Sequence, residues 1–313
     1  MSWLHYRELD RLLIQLRQLY SSAEVSNELR GWSWSGDLLS PPMENVYLGV
    51  SELANRYCPT YRDIYLRRVA GVQAPITFKT VRGWVYHALS SRCSSLIKSK
   101  LYLHGLIRGV ELIKILLEEE SNLIDSIIEE YNVKRYLDSS KVEVLRRNMR
   151  LLFEYFIVQT AARLDSVICE VKYAKLESII GKVVPQVAEK LVDGRLIGLS
   201  RELRIDIMLD NRVIIDIKTG DVRDFHKYAL AGYALAVESD LEIPVDYGLI
   251  TYLSIVNNHV KIYNKMYFIG DELRREFIEI RDEAFNILNS GEDPGKPSSC
   301  PEYCIYYSIC RGE

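Results

Sequence analysis

Apolar residues recur at two different spacings along this chain, and the change from one to the other falls near residue 174. Before that point the spacing is helical. Leu9, Leu12, Leu13, Leu16 and Leu19 form one stripe and predict an amphipathic helix over residues 3–20. Residues 22–47 carry Gly31, Gly36, Pro41 and Pro42 and read as loop, with Trp32 and Trp34 expected to pack onto the core. A short helical entry at 50–54 leads to a helix over 61–70, a connector at 71–78 and a second helix over 80–101. Residues 102–173 read almost wholly as helix, with Leu151, Leu152, Phe156 and Ile157 in the core and Glu118, Glu119 and Glu120 on a solvated face.

From Ala174 onward the period shortens to two. Residues 185–192 predict a strand, closed by a turn at Asp193-Gly194. In the stretch 204–220, Ile205, Ile207 and Leu209 alternate with Asp206 and Met208, and Val213 to Ile215 lead into Asp216-Ile217-Lys218. Asp210-Asn211 supplies turn chemistry between the two runs, so the stretch reads as a hairpin with one apolar face. A helix over 224–238, strands over 246–254 and 260–268 joined at Asn257-Asn258, and a helix over 272–288 complete the pattern. The order predicts an α/β fold with a mixed central sheet flanked by helices and preceded by a large helical portion. The expected division is 1–173 helical, 174–289 an α/β core, and 290–313 a cysteine-bearing tail.

The hairpin carries the first candidate chemistry. Period-two geometry puts Asp216 and Lys218 on one face of their strand, and Asp206 on the strand beside it. Two carboxylates on neighbouring strands suit a hard cation such as Mg²⁺ or Mn²⁺, which could activate a water and shield a phosphodiester. Lys218 would orient that water or stabilise developing negative charge. The same residues also read as a strand pair with a surface salt bridge. His87, among aromatic and small residues of a helix, reads on its own as a core histidine.

Composition adds bounds. The 313 residues are 48% hydrophobic and 27% charged, enough for a sizeable globular core. Neither a signal-peptide pattern nor a long apolar span is visible, so a cytoplasmic protein away from the membrane is expected. The net charge of −3 is unevenly spread: residues 56–100 hold nine Arg or Lys against Asp63 alone, which is +8 and leaves −11 elsewhere. Such a confined basic stretch fits a phosphate-binding path, with Arg62, Arg67, Arg68 and Arg82 as candidate DNA contacts and Tyr57, Tyr61 and Tyr65 as stacking partners. A solvated basic face explains it equally well.

Cys300, Cys304 and Cys310 form C-x₃-C-x₅-C in a Pro- and Tyr-rich tail. They leave a tetrahedral site one ligand short, and Cys58 before Pro59 is the best fourth. Paired C-x₂-C knuckles are missing, which favours an iron–sulfur cluster over zinc. Cys93 and Cys169 read as buried or incidental thiols.

Taken together, RYCPTYRDIYL with Cys58, GWVYH with His87, LRIDIML with Asp206, IIDIKTG with Asp216 and Lys218, the YALAVE helix with Tyr233 and the three terminal cysteines stand in one order. In that order the chain resembles the RecB-like nucleases of the PD-(D/E)xK superfamily, and within them the fourth CRISPR-associated (Cas) family in its archaeal type I-A variant. The resemblance implies a metal-dependent DNA nuclease with a [4Fe–4S] cluster that acts in acquiring new spacers, alongside the CRISPR integrase and other adaptation proteins. It implies that His87, Asp206, Asp216 and the carbonyl of Ile217 hold Mn²⁺ or Mg²⁺, that Lys218 is the catalytic lysine, and that Tyr233 faces the DNA. One position departs from it: related nucleases often carry Gln where this chain has Ala229.

Two functions compete on these residues. One is an exonuclease that trims single strands or fragment ends before integration. The other is a catalytically weak iron–sulfur scaffold that holds DNA. The retained His87, Asp206, Asp216 and Lys218 favour the enzyme.

Overall fold

The computed structural model describes residues 6–312 apart from 172, 174, 185, 210 and 211, together with the side chains of all of these but 6–10 and 186. The helical half contains α1 (Tyr6–Leu19), α2 (Val50–Ala54), α3 (Arg62–Arg68), α4 (Phe78–His104), α5 (Gly109–Leu117), α6 (Glu120–Glu130), α7 (Val133–Tyr136), α8 (Ser139–Glu170) and α9 (Leu176–Val183). Then follow β1 (Gln186–Val192), β2 (Leu203–Leu209), β3 (Val213–Lys218), α10 (Lys227–Leu241), β4 (Tyr247–Val256), β5 (His259–Phe268), α11 (Asp271–Ser290) and α12 (Tyr307–Arg311).

The two longest helices start where their caps say they should. Thr77 Oγ1 accepts the amide of Thr80 and Thr80 Oγ1 accepts that of Thr77, which fixes the start of α4. Asp138 Oδ1 accepts the amide of Lys141 at the start of α8. Gly105, at φ +74°, ends α4 in a conformation that other residues adopt at a cost.

The five strands lie in sequence order in one sheet. Neighbours are antiparallel except β3 and β4, which run parallel because α10 carries the chain back between them. The β4–β5 hairpin turns at Asn257 and Asn258, both with positive φ (52° and 60°), the conformation a two-residue turn of this kind requires. Asp210-Asn211, the other expected turn, lies outside the described residues.

Two apolar cores cover the two faces of the sheet. One holds Val85, Leu89, Leu152, Phe153 and Phe156 from α4 and α8 against Ile207, Ile215, Ile217 and Leu249. The other holds α10 and α11 against Leu203, Ile205, Ile214 and Ile250, and takes in Leu29, Leu39, Leu48 and Leu53 from the N-terminal segment. That segment is tied down by a buried ion pair. Arg274 and Glu238 have fully buried side chains 2.7 Å apart. Glu238 also accepts from Arg30 and from the amides of Gly31 and Val245, and Arg274 donates to the carbonyls of Leu29, Val245 and Ile269. Gly31 fits there because any Cβ would fall 2.1 Å from the carbonyl oxygen of Leu235.

Two expectations change. Trp34 is 40% exposed; Leu29, Leu39 and Leu48 take the core positions expected of the tryptophans, while Trp32 is half-buried under Arg30 and donates to Asn27. In α1 the apolar stripe is shallow, with Leu13 buried and Leu19 exposed, and Leu9 falls among the side chains outside those described.

Replacing Glu238 by Gln leaves the Arg274 guanidinium buried without a counter-charge. Such uncompensated burial costs about 3–5 kcal/mol. Urea unfolding of Glu238→Gln should show a loss of that order, and a loss below about 1 kcal/mol would remove the network from the list of things that hold the N-terminal segment.

Candidate active site

The site begins as a row of carboxylates across three strands. Ala188 pairs with Ile207 and Lys190 with Ile205, so Glu189 and Asp206 stand opposite one another. On the other side, β2 and β3 are in register at Ile207–Ile215 and Met208–Ile214. One step further would set Asp206 against Asp216, but no ladder pair forms there. Instead Asp206 Oδ2 accepts the amide of Ile217 at 2.7 Å, so the side chain takes the place of a backbone carbonyl.

The alternation of faces breaks at this row. Leu203 and Ile205 belong to the core beneath α10, whereas Ile207 and Leu209 belong to the helical core. Glu189 carries the matching irregularity in β1, with φ +52° in mid-strand. The expected single apolar face of the hairpin is therefore two half-faces that meet at Asp206.

His87 reaches this row from α4. Its Nδ1 lies 2.9 Å from Asp206 Oδ1. Atoms of His87, Glu189 and Asp206 fall within 4.8 Å of one another, the one such group of three or more His, Cys, Asp or Glu among the described residues. Arg82, on the same helix, donates to the carbonyl of Thr219 at 2.5 Å and fastens α4 to the end of β3. Asp216 is buried, and Lys218 Nζ sits 2.9 Å from its Oδ2.

The charges tune one another. Burial would raise Asp206, but the His87 imidazole beside it and the bonds from His87 and Ile217 hold its carboxyl below the ordinary range. Burial raises Asp216, with Asp206 adding to the effect and Lys218 opposing it. Burial also raises Glu189, and the Asp206 carboxylate adds to it. His87 is raised because Asp206 outweighs its burial, and Lys218 because Asp216 does. The set offers one imidazole nitrogen and several carboxylate oxygens, a donor chemistry that suits Mn²⁺ or Mg²⁺. Asp216 Oδ2 accepts no hydrogen bond, and the Lys218 ammonium alone balances it.

Around this centre lie residues from α10 and β4. Burial raises the Tyr233 hydroxyl well above its ordinary value, and Asp216, Asp206 and Glu189 add to the shift, so this tyrosine lies within electrostatic reach of all three. Ala229, one turn earlier, is buried in the core and offers no polar group. His226 is buried, its Nδ1 3.1 Å from the Tyr252 hydroxyl. Burial, Lys218 and Arg223 push it down to about 3, so it is neutral.

His87, Asp206, Asp216, Ile217, Lys218 and Tyr233 thus come together. Glu189 is the residue that sequence reasoning missed. It sits unremarkably in a strand, and only the β1–β2 register and its left-handed backbone bring it to Asp206.

The basic segment looks different in three dimensions. Arg62 is bidentate to Asp293 and donates to Cys310 Sγ. Arg68 is bidentate to Glu52, and Arg67 lies 3.9 Å from the same carboxylate. Arg92 pairs with Glu130 and Lys100 with Glu119. Much of the +8 is therefore neutralised by acids from elsewhere in the chain, and Arg62 and Arg68 serve internal contacts. Tyr61 packs on the core beneath α10 and Tyr65 against the tail.

The tail returns to α3. Leu66, Tyr306 and Cys310 form a small core with Tyr65, Val72 and Cys304 against it. Cys58 Sγ lies 3.3 Å from Thr60 Oγ1, and that hydroxyl donates to the carbonyl of Gly295. Burial pushes the Cys304 thiol up to about 11, and Asp63, Cys58 and Cys310 add to it. Cys58 and Cys310 lie close enough to act on Cys304, and thiols are soft donors that a metal would stabilise as thiolates. Cys93 is buried in the helical core, and Cys169 is exposed near the end of α8. Tail and active site are neighbours. Burial raises the Tyr57 hydroxyl, Lys218 opposes the shift and Cys304 adds to it, while Tyr303 packs on Phe225 and under Arg223. No described helix is long and apolar enough to cross a membrane.

The profile of a family described as CRISPR-associated exonuclease Csa1 matches residues 3–313. A CRISPR-associated exonuclease Csa1 of Saccharolobus solfataricus is 32% identical over 96% of this chain and 98% of its own length. Another, of Thermoproteus tenax, is 29% identical over 97% of this chain and 98% of its own length. The crystal structure of SSO0001 aligns with 52% of this chain and 79% of its own at 17% identity and a TM-score of 0.27, a likeness too weak to carry an argument.

His226 gives the site a pH signature. Unfolded, a histidine binds its proton near 6.5; folded, this one resists until about 3. Between those values the unfolded chain binds more protons, so stability present above 6.5 is lost as pH falls. One such group contributes at most about 1.4 kcal/mol per pH unit. Urea unfolding between pH 4 and 6.5 should show this slope in the wild type and a shallower one in His226→Gln; equal slopes would assign the acid sensitivity to other groups.

Proposed function

The chain belongs to the CRISPR-associated exonuclease Csa1 family, and we propose from that premise that it is a divalent-cation-dependent deoxyribonuclease of RecB-like, PD-(D/E)xK type. It trims DNA ends or single strands during CRISPR adaptation, before the integrase and its partner proteins insert the fragment. One observation carries the reading: the Lys218 ammonium is held 2.9 Å from Asp216, two residues away on one strand, beside an Asp206 carboxylate bonded to His87. A surface salt bridge would not place four ionisable groups together at the inner strands of a sheet at this degree of burial.

His87, Asp206, Asp216 and the carbonyl of Ile217 would hold Mn²⁺ or Mg²⁺. When bound, the cation supplies positive charge beside the scissile phosphate and makes a water more acidic. The protein's own groups do the rest. Lys218 stays protonated because Asp216 outweighs its burial, so it can donate to a phosphate oxygen as negative charge develops there. Tyr233 keeps its proton and so has a hydrogen bond to offer near the same carboxylates. His226, held neutral, adds no competing charge next to Lys218. Ala229 leaves out the amide that related nucleases often present from this helix.

In the same reading Cys58, Cys300, Cys304 and Cys310 bind a [4Fe–4S] cluster that closes the tail on α3. Arg62 supports it with an N–H aimed at Cys310 Sγ, 3.1 Å away.

The test of the nuclease is digestion of end-labelled single- and double-stranded DNA with Mn²⁺, Mg²⁺ or EDTA. Wild type should cut only with a cation, and Lys218→Ala should lose on the order of 10²-fold or more in rate. Equal digestion by wild type and Asp216→Asn would sink the assignment and leave the DNA-holding scaffold.

For the cluster, anaerobically purified protein should be brown and contain iron and sulfide. Cys300→Ser should lose colour and melt lower, whereas Cys93→Ser and Cys169→Ser keep the iron. Stoichiometric zinc without iron would replace the cluster by a zinc site on the same thiols.

A further inference from the structure

Glu189 lies outside the ligand set described above, yet it is the carboxylate that the structure gathers with His87 and Asp206. The remaining capacity of the site explains why that matters. Asp206 Oδ2 is committed to the amide of Ile217, and its Oδ1 faces His87 Nδ1 at 2.9 Å. Asp216 Oδ2 is committed to the Lys218 ammonium. The donors that the structure gathers within 4.8 Å of one another are one carboxylate oxygen each of Asp206 and Glu189 and one nitrogen of the His87 imidazole. They come from β2, α4 and β1, so they converge from three directions, as a ligand shell does.

The backbone of Glu189 points the same way. Its φ of +52° in mid-strand is unfavourable for a residue with a Cβ. The flanking pairs of β1 and β2 keep their register on both sides, so no inserted residue forces this conformation. It sets Glu189 against Asp206, two like charges facing each other, an arrangement that a cation between them would favour. A third observation stands apart from this cluster. Asp216 is about 4% exposed, and among the described residues the Lys218 ammonium 2.9 Å away is all that balances its buried Oδ2.

We propose that Glu189 is a direct cation ligand, and that a His87–Glu189–Asp206 triad forms the principal protein grip on the divalent cation, with Asp216 flanking it beside Lys218. This rests on reading the site as a cation site; it adds which groups hold the cation. A bare ion pair of Glu189 with a nearby cationic side chain is the competing role.

Mn²⁺ binding to the full-length chain without DNA tests it, measured by loss of the free-ion paramagnetic signal. Glu189→Gln should weaken Mn²⁺ affinity at least roughly tenfold, with circular dichroism and iron content unchanged. Glu189→Gly separates side chain from backbone. Glycine adopts positive φ freely, so this variant should melt no lower than wild type without Mn²⁺ and should lose the rise in melting temperature that Mn²⁺ gives the wild type. Wild-type affinity in both Glu189 variants, with affinity lost in Asp206→Asn, would overturn the triad and leave the nuclease reading standing. No Mn²⁺ binding by the wild type would overturn both.

Discussion

Mutual repulsion of carboxylates on adjacent strands is the constraint around which this molecule is arranged. Two unit charges about 5 Å apart in a partly buried setting cost on the order of 3 kcal/mol. Glu189, Asp206 and Asp216 form such a row, and each neighbouring element supplies something against it. The Ile217 amide bonds Asp206, Lys218 pairs with Asp216, and α4 brings His87 to Asp206. Arg82 then anchors that helix to the strand end. Ladder hydrogen bonding between β2 and β3 gives way at this row, and the faces of β2 change sides there. The chemistry and the irregularity of the sheet have one origin.

How much of this could be read in advance depends on sequence distance. Asp206, Asp216 and Lys218 were legible because one hairpin contains them and period two fixes their relation. The helices, the mixed sheet and the Asn257-Asn258 turn were legible from periodicity and turn chemistry. Glu189 was not, because its role depends on which residue of β2 it faces and on one backbone angle. The basic segment was legible only in part, for the converse reason. Its positive charge is real, but Asp293 and Glu52, the acids that neutralise it, lie outside the segment that was counted. Trp34 misled because aromatic size says little about which of several apolar residues in a loop wins the core.

The cysteine tail and the carboxylate row share a wall. Lys218 and Cys304 both act on the Tyr57 hydroxyl, and Tyr303 of the tail packs on Phe225 and under Arg223 in the segment that leaves β3. A change in how the tail is held therefore reaches the end of the strand that bears Lys218 through contacts of a few side chains. Both faces of the sheet are already filled by core, so displacement at this edge has little freedom to dissipate elsewhere.

The knot of Arg30, Glu238 and Arg274 has a consequence in time. Arg30 precedes Glu238 by 208 residues. At a synthesis rate of about 5–20 residues per second, Glu238 is made roughly 10–40 s after Arg30. Through that interval Leu29, Leu39 and Leu48 have no core to enter, while α4 to α8 can already close on one another from nearby sequence. The first part of the chain to be made is thus among the last to fold. A nascent chain stalled before α10 would present a finished helical unit with an unclaimed apolar strap ahead of it, a target for holding chaperones rather than for refolding.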